Sequence, residues 1–165
     1  MTQSEEAALA YLTAHVIPFE RAAHERVSAI SECAVAEKLL GARMPRNLFL
    51  TPRTKSAYYL LIAHPESAFR TSSVSRQAGS SRLSFADEGD LKAILHTHPG
   101  AVSPLGLIFD SAKDVILLVD ERLLSEEALL FHPLENTSSV RLTREAFFGG
   151  FLSSLGRGYR AVTLD

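Results

Sequence analysis

A chain of 165 residues suits one ordinary domain, large enough to bury about two-thirds of its unfolded surface without disulfide or metal staples. Seventeen lysines and arginines against nineteen aspartates and glutamates leave a net charge of -2, which argues against a domain basic all round. With 46% hydrophobic and 22% charged residues the composition is that of a soluble globular protein. No apolar run approaches the roughly 18 residues of a membrane span. The acidic, polar start MTQSEEAALA is unlike a secretory leader, so a cytoplasmic location is expected. The single cysteine, Cys33, cannot form an internal disulfide and is read as a small buried hydrophobe rather than a nucleophile.

In chain order, residues 4–14 read as a helix and Val16–Glu20 as a short strand around Pro18. The segment from Ser31 to Gly41, which contains Cys33, has a serine cap, an amphipathic pattern and a terminal glycine. Arg46–Leu50 and Ala57–Ile62 are apolar runs on either side of Thr51-Pro52-Arg53-Thr54-Lys55, a hairpin of buried strands. Thr71–Ala78 predicts a helix ended by Gly79, and Asp87–Leu95 another with an acidic first turn. Four short strands follow, at Gly106–Phe109, Val115–Val119, Ala128–Phe131 and Ser139–Leu142. A helix capped at Thr143 runs to about Leu155, and Tyr159–Leu164 adds an edge strand. Helices and strands mix without a βαβ rhythm, which predicts a single α+β domain over residues 1–165, with a curved mixed sheet flanked by helices.

The small net charge conceals two opposed regions. Between Lys38 and Arg82 lie eight bases and one acid, Glu66, a local charge of +7 that leaves the remainder at -9. Bases gathered on one face could steer a polyanion, whereas bases paired with acids from elsewhere would form an ordinary solvated surface.

Several chemistries lack their residues. There is no Gly-x-Ser-x-Gly elbow, no Gly-x-Gly-x-x-Gly turn and no phosphate loop ending in Gly-Lys-Ser/Thr. Glu126-Glu127 reads as a solvated surface pair. His-Pro recurs at His64, His98 and His132 at intervals of 34 residues, but the flanking residues do not repeat. His96-Thr97-His98-Pro99 is similar to the His-x-His-Pro element of metal-dependent isopeptidases, in which two histidines on an extended segment share a side. Such an enzyme then needs a serine and an aspartate where this chain has Gly106 and Phe109, with Asp110 one residue out of place.

Three further segments stand out together. Asn47 enters a buried strand directly after Arg46, an odd place for an amide unless it meets a ligand or caps a loop. Gly100-Ala101-Val102-Ser103-Pro104 is a loop whose glycine lets another group approach its amides. His132-Pro133-Leu134-Glu135-Asn136-Thr137 ends an apolar strand with a histidine and an amide at hand.

With Ser81-Arg82-Leu83-Ser84-Phe85-Ala86, these segments in order resemble the YbaK-like prolyl-tRNA editing domain family, over about His24 to Phe151. Within that family the likeness is to its free-standing alanyl-tRNA(Pro) deacylases. The resemblance implies hydrolysis of the ester joining a wrong amino acid to the 3′-terminal adenosine of tRNA, with no cofactor and no metal. The implied partners are the acceptor end of mischarged tRNA(Pro) and prolyl-tRNA synthetase, with no DNA or membrane. It assigns catalysis to Gly100, Ala101, Pro104 and Arg46, and substrate binding to Asn47, Ser103, His132 and Asn136. Arg46 departs from the family's usual lysine, which a role in holding phosphate or ribose tolerates because guanidinium keeps the charge.

An aminoacyl ester is already activated, so positioning and donors aimed at the developing oxyanion suffice without a protein nucleophile. A rival reading is a protein on the same fold that only senses an amino acid or an aminoacyl-tRNA, which the change at Arg46 favours. The metal-dependent isopeptidase stands third.

Overall fold

The hairpin is the frame on which the rest is hung. Its two strands, β2 (Arg46–Pro52) and β3 (Tyr59–Ala63), pair antiparallel with Arg46 opposite Ala63 and Asn47 opposite Ile62. The structure is a computed structural model that describes residues 1–26 and 33–165. Around the hairpin a mixed sheet of five strands is assembled in the order β4-β2-β3-β5-β8, with β4 (Leu83–Phe85), β5 (Ile116–Asp120) and β8 (Arg160–Val162). β3 and β5 run parallel, as do β5 and β8. β3 is buried along its whole length, which is why it reads as an unbroken apolar run rather than an alternating one.

The period of two decides which core each residue enters. Phe49, Leu60, Ile62, Leu117 and Val119 face one cluster, while Leu50, Leu61, Leu83 and Leu118 face the other with Val74 and Ala78. The helix carrying those last two residues, α3 (Thr71–Ala78), ends at Gly79 in the left-handed conformation. The larger cluster holds Phe147 stacked on Phe151 and tilted against Phe131, and Ala8 and Leu12 of α1 (Gln3–Ala14) close it.

A second, antiparallel sheet has the order β1-β7-β6, with β1 (Glu20–Ala23), β6 (Ala128–Phe131) and β7 (Ser138–Thr143). The two sheets meet where the chain leaves α2 (Ala34–Leu40): Arg43 forms a parallel bridge with Leu129, and Leu130 N donates to Arg43 O at 3.2 Å. Gly41 ends α2 in the left-handed conformation, as its position predicts. Cys33, half-buried at the start of α2, packs beside Ala36, Met44 and Leu130. The serine cap expected at Ser31 lies outside the described residues.

Two strand expectations are corrected. Val16 has φ 55 and turns the chain after α1, so the first strand begins only at Glu20, past Pro18, which lacks an N–H to donate. Gly106–Phe109 is not a strand either. Pro104–Ile108 is a 3-10 helix, with Ser103 Oγ accepting from Leu105 N at 3.1 Å and proline in the first turn. Pro104 to Leu107 are all buried, so no alternation was available to mark a strand. Gly106 is required by contact, since a Cβ there would lie 2.7 Å from Leu95 O.

The helix expected over 87–95 is one α turn, α4 (Glu88–Asp90), continued by a wider π segment (Leu91–Leu95) and capped by Asp87. The last helix is likewise a π segment (Glu145–Phe151) passing into α5 (Leu152–Ser154), and Thr143 Oγ1 caps it by accepting from Ala146 N at 3.0 Å. Among the described residues no helix is long and apolar enough to cross a membrane.

Candidate functional site

Arg46 and Asn47 open β2 half-buried, and with Leu48 they form the stretch of that strand that is not wholly enclosed. Arg46 Nη2 donates to Ser67 O at 2.6 Å. Ser67 is itself fixed, because its hydroxyl donates at 2.6 Å to Asp120 Oδ2, which also accepts from His64 N at 2.9 Å. Asp120 is fully buried at the end of β5, and its other oxygen caps the next turn by accepting from Arg122 N at 3.1 Å. The guanidinium is therefore held by a braced backbone carbonyl. Arg46 Nε and Asn47 Oδ1 are buried with no hydrogen-bond partner among the described residues, and Asn47 Nδ2 reaches Pro45 O only at 3.5 Å. Each such atom costs on the order of 1–3 kcal/mol, which a ligand's polar groups would offset.

The second segment follows the π turn. Gly100 is exposed at φ 90, a conformation that a side chain would strain, while Ala101 and Ser103 are fully buried. Ala101 is engaged at both ends, its N–H donating to His98 O at 3.1 Å and its carbonyl accepting from Thr97 Oγ1 at 2.9 Å. The hydroxyl of Ser103 accepts from Leu105 N, so it holds the loop's exit, and Pro104 is buried behind it.

The third segment is the β6–β7 connection, and residues 132–136 are all buried. His132 Nδ1 lies 2.9 Å from Ser138 O, so Nδ1 carries the proton and donates, and Nε2 is left as the ring's acceptor. Burial pushes the His132 pKa below its ordinary value against the opposing pull of the Ser138 carbonyl, and the neighbouring His24 adds to the depression. The ring is therefore neutral near pH 7. His24 packs edge-on to it, with centroids 6.1 Å apart, and its Nε2 lies 2.8 Å from Ser139 Oγ.

These segments are tied to one another. Thr97 Oγ1 lies 2.9 Å from Ala101 O and 3.4 Å from Leu134 O, bridging the glycine loop to the His132 connection. Glu135 Oε1 accepts from Asn136 N at 2.8 Å and lies 3.3 Å from His98 Nε2. Asn136 itself is 3% exposed. The parallel bridge Arg43–Leu129 joins the approach to β2 to β6, three residues ahead of Arg46 on one segment and of His132 on the other. Sequence reasoning missed Thr97 and Glu135, which fasten the Gly100 loop to the His132 connection, and Ser67 and Asp120, which hold Arg46. Only Asp120 left a signal, an acid ending an apolar run.

The His-x-His pair is not a metal pair. His96 sits at φ 55 as the cap of the π segment, so the two side chains do not alternate along an extended strand. The His96 ring stacks on Phe109 at 3.8 Å, and its Nε2 meets Ser111 Oγ at 3.1 Å, whereas His98 turns toward Glu135. Among the described residues no three His, Cys, Asp or Glu side chains converge.

The basic stretch divides in the same residue-by-residue way. Arg43 pairs with Glu37 as well as with the stretch's own Glu66, and Lys55 pairs with Asp87 and Asp90, so part of the +7 is answered by Glu37, Asp87 and Asp90 from outside it. Arg76 and Arg82 instead line a groove of about 600 Å³ with Thr71, Ser72, Ser75 and Ser80.

Residues 24–148 match the aminoacyl-tRNA editing domain family. The chain is 28% identical over 161 residues, 98% of each protein, to the prolyl-tRNA editing protein ProX of Acetoanaerobium sticklandii. It is 30% identical over 140 residues to prolyl-tRNA synthetase associated domain-containing protein 1 of Mus musculus, covering 82% of each. Among solved structures, a candidate trans-editing enzyme for prolyl tRNA synthetase superposes with a TM-score of 0.76 at 15% identity, over 100% of this chain and 98% of that one. Another, the hypothetical protein APE2540, superposes with a TM-score of 0.73 at 15% identity, over 95% and 98%. The chain belongs to the aminoacyl-tRNA editing domain family and is an aminoacyl-tRNA deacylase.

Proposed function

We propose that the chain acts in trans, in the cytoplasm, on alanyl-tRNA(Pro), hydrolysing the ester at the 3′-terminal adenosine. The observations that carry this reading are the buried, neutral His132 connection fastened to the Gly100 loop through Thr97 and, at the start of β2, the orphaned polar atoms of Arg46 and Asn47. Similarity to the prolyl-tRNA editing protein ProX supports the choice of tRNA. A pocket walled by a fixed, buried connection suits a small side chain and rejects proline by volume.

In this reading Arg46 and Asn47 hold the terminal nucleotide, with Arg46 presenting a fixed charge from the Ser67 carbonyl. The Ala101 N–H is already engaged, so donors to the developing oxyanion come from its neighbours Gly100, Val102 and Ser103. Ala101, Ser103 and Pro104 hold that loop in shape, and His132 and Asn136 wall the amino-acid pocket. Water attacks the ester carbonyl, assisted by the substrate's ribose hydroxyl, and the adenosine oxygen leaves with a proton. No cofactor enters this scheme. The partner is the acceptor end of tRNA, and prolyl-tRNA synthetase is the enzyme whose errors it would clear. Incubation with alanyl-tRNA(Pro) and prolyl-tRNA(Pro) tests the reading: alanine is released rapidly and proline is retained. Activity that persists in chelator supports a metal-free mechanism, and loss on chelation would overturn it.

A further inference from the structure

The bond that orients His132 continues past Ser138. Ser138 opens β7, is fully buried, and serves two partners: its carbonyl accepts from His132 Nδ1 at 2.9 Å, and its hydroxyl donates to Glu5 Oε1 at 2.6 Å. Glu5 stands in the first turn of α1 and is 2% exposed, a rare place for a carboxylate. Arg21 Nη2, from β1, donates to the same oxygen at 2.9 Å. Thr2 caps the helix by accepting from Glu5 N at 3.1 Å, and Ala8 and Leu12 anchor it in the core, so the carboxylate has little freedom to move. Burial alone would raise the Glu5 pKa, but the hydrogen bonds from Arg21 and Ser138 outweigh it and hold the carboxylate below its ordinary range.

We propose that Glu5 is a positioning residue for the aminoacyl pocket: through the Ser138 hydroxyl it fixes the Ser138 peptide, whose carbonyl selects the Nδ1–H form of His132 and keeps Nε2 as acceptor. The inference rests on the reading of His132 as a wall of the amino-acid pocket. Arg21 alone would suffice to pin α1 to β1. The short, charge-assisted bond from Ser138 adds what that pin does not need, control of the residue that holds the histidine. Glu5 and Arg21 both precede the segment matched by the family, residues 24–148, so the helix ahead of it completes the pocket.

The test uses the full chain with 15N-labelled histidine, read without substrate. In the native protein His132 shows one tautomer, protonated at Nδ1. Ser138→Ala, which removes the hydroxyl and keeps the carbonyl, gives a mixture of tautomers, as does Glu5→Ala. Glu5→Gln keeps an acceptor for the hydroxyl and restores the single form. In parallel, Ser138→Ala lowers kcat for alanine release on the order of tenfold, the worth of one hydrogen bond, with KM for the tRNA unchanged. If Glu5→Ala does not fold, Ser138→Ala decides the matter. A folded Ser138→Ala that keeps a single Nδ1–H tautomer overturns the proposal, whatever substrate the enzyme proves to edit.

Discussion

His98 and His132 are each followed by proline and lie in loops tied to one another, yet they have opposite physical characters. The His132 ring is buried, with Nδ1 bonded to the carbonyl of Ser138 on β7, whereas the His98 side chain is 37% exposed, its Nδ1 meeting only the adjacent Pro99 carbonyl at 2.8 Å and its Nε2 leaning on Glu135. The dipeptide is the same, and what differs is the backbone around it. β7 returns a carbonyl to His132, while the turn after the π segment leaves His98 facing outward. What separates them is burial and an acceptor supplied by a separate strand rather than by the next residue, and no local pattern in the sequence reports that.

The largest effect should come from the loop that joins the two. Gly100→Val forces a β-branched side chain to φ 90 and displaces the loop amides, and alanine release should fall by about a hundredfold or more. If activity survives, the loop amides are not the donors. Next comes the comparison itself. His132→Ala should reduce the preference for alanyl over larger aminoacyl esters on the order of tenfold, and His98→Ala on the order of twofold or less. Equal effects would erase the distinction drawn between them.

Acid should separate the two histidines further. The folded chain disfavours the charged form of His132, which faces His24, His98 and Glu135, so the unfolded chain takes up the proton more readily. The stability this contributes is whole above about 6.5 and is lost as the pH falls through the lower folded value, so thermal melting should drop across that window. In His132→Phe this part of the pH dependence should vanish, and a melting profile left unchanged would contradict the assignment. A small effect is expected at Arg46→Lys. A lysine can reach the Ser67 carbonyl and keeps the charge, so alanine release should change by only about threefold in either direction. Inactive wild type with active Arg46→Lys would instead mark a protein that has given up catalysis.

Much of the fold was legible because its signals are local. The hairpin, the glycine ends of α2 and α3, and the cap at Thr143 each rest on residues a few positions apart. Gly106–Phe109 misled because a short buried apolar run has no period, and the Ser103-Pro104 start was the better guide. In the site, the three segments were visible by resemblance, but their fastenings were not. Thr97, Glu135, Ser138 and Glu5 look like ordinary surface residues in the sequence, and only partners as far as 133 positions away make them buried and fixed. The near-neutral net charge misdirected for a related reason, since charge acts where side chains gather. Arg76 and Arg82 share a groove while Lys55 and Arg43 are paired off.

The central claim is that a pocket built on a neutral, buried His132 and a glycine loop removes a small wrong amino acid from tRNA(Pro). The most direct measurement follows the two charged forms side by side with the full chain: alanyl-tRNA(Pro) should be deacylated at least about a hundredfold faster than prolyl-tRNA(Pro), in the presence of chelator. Equal rates on the two, or no release from either, would contradict it.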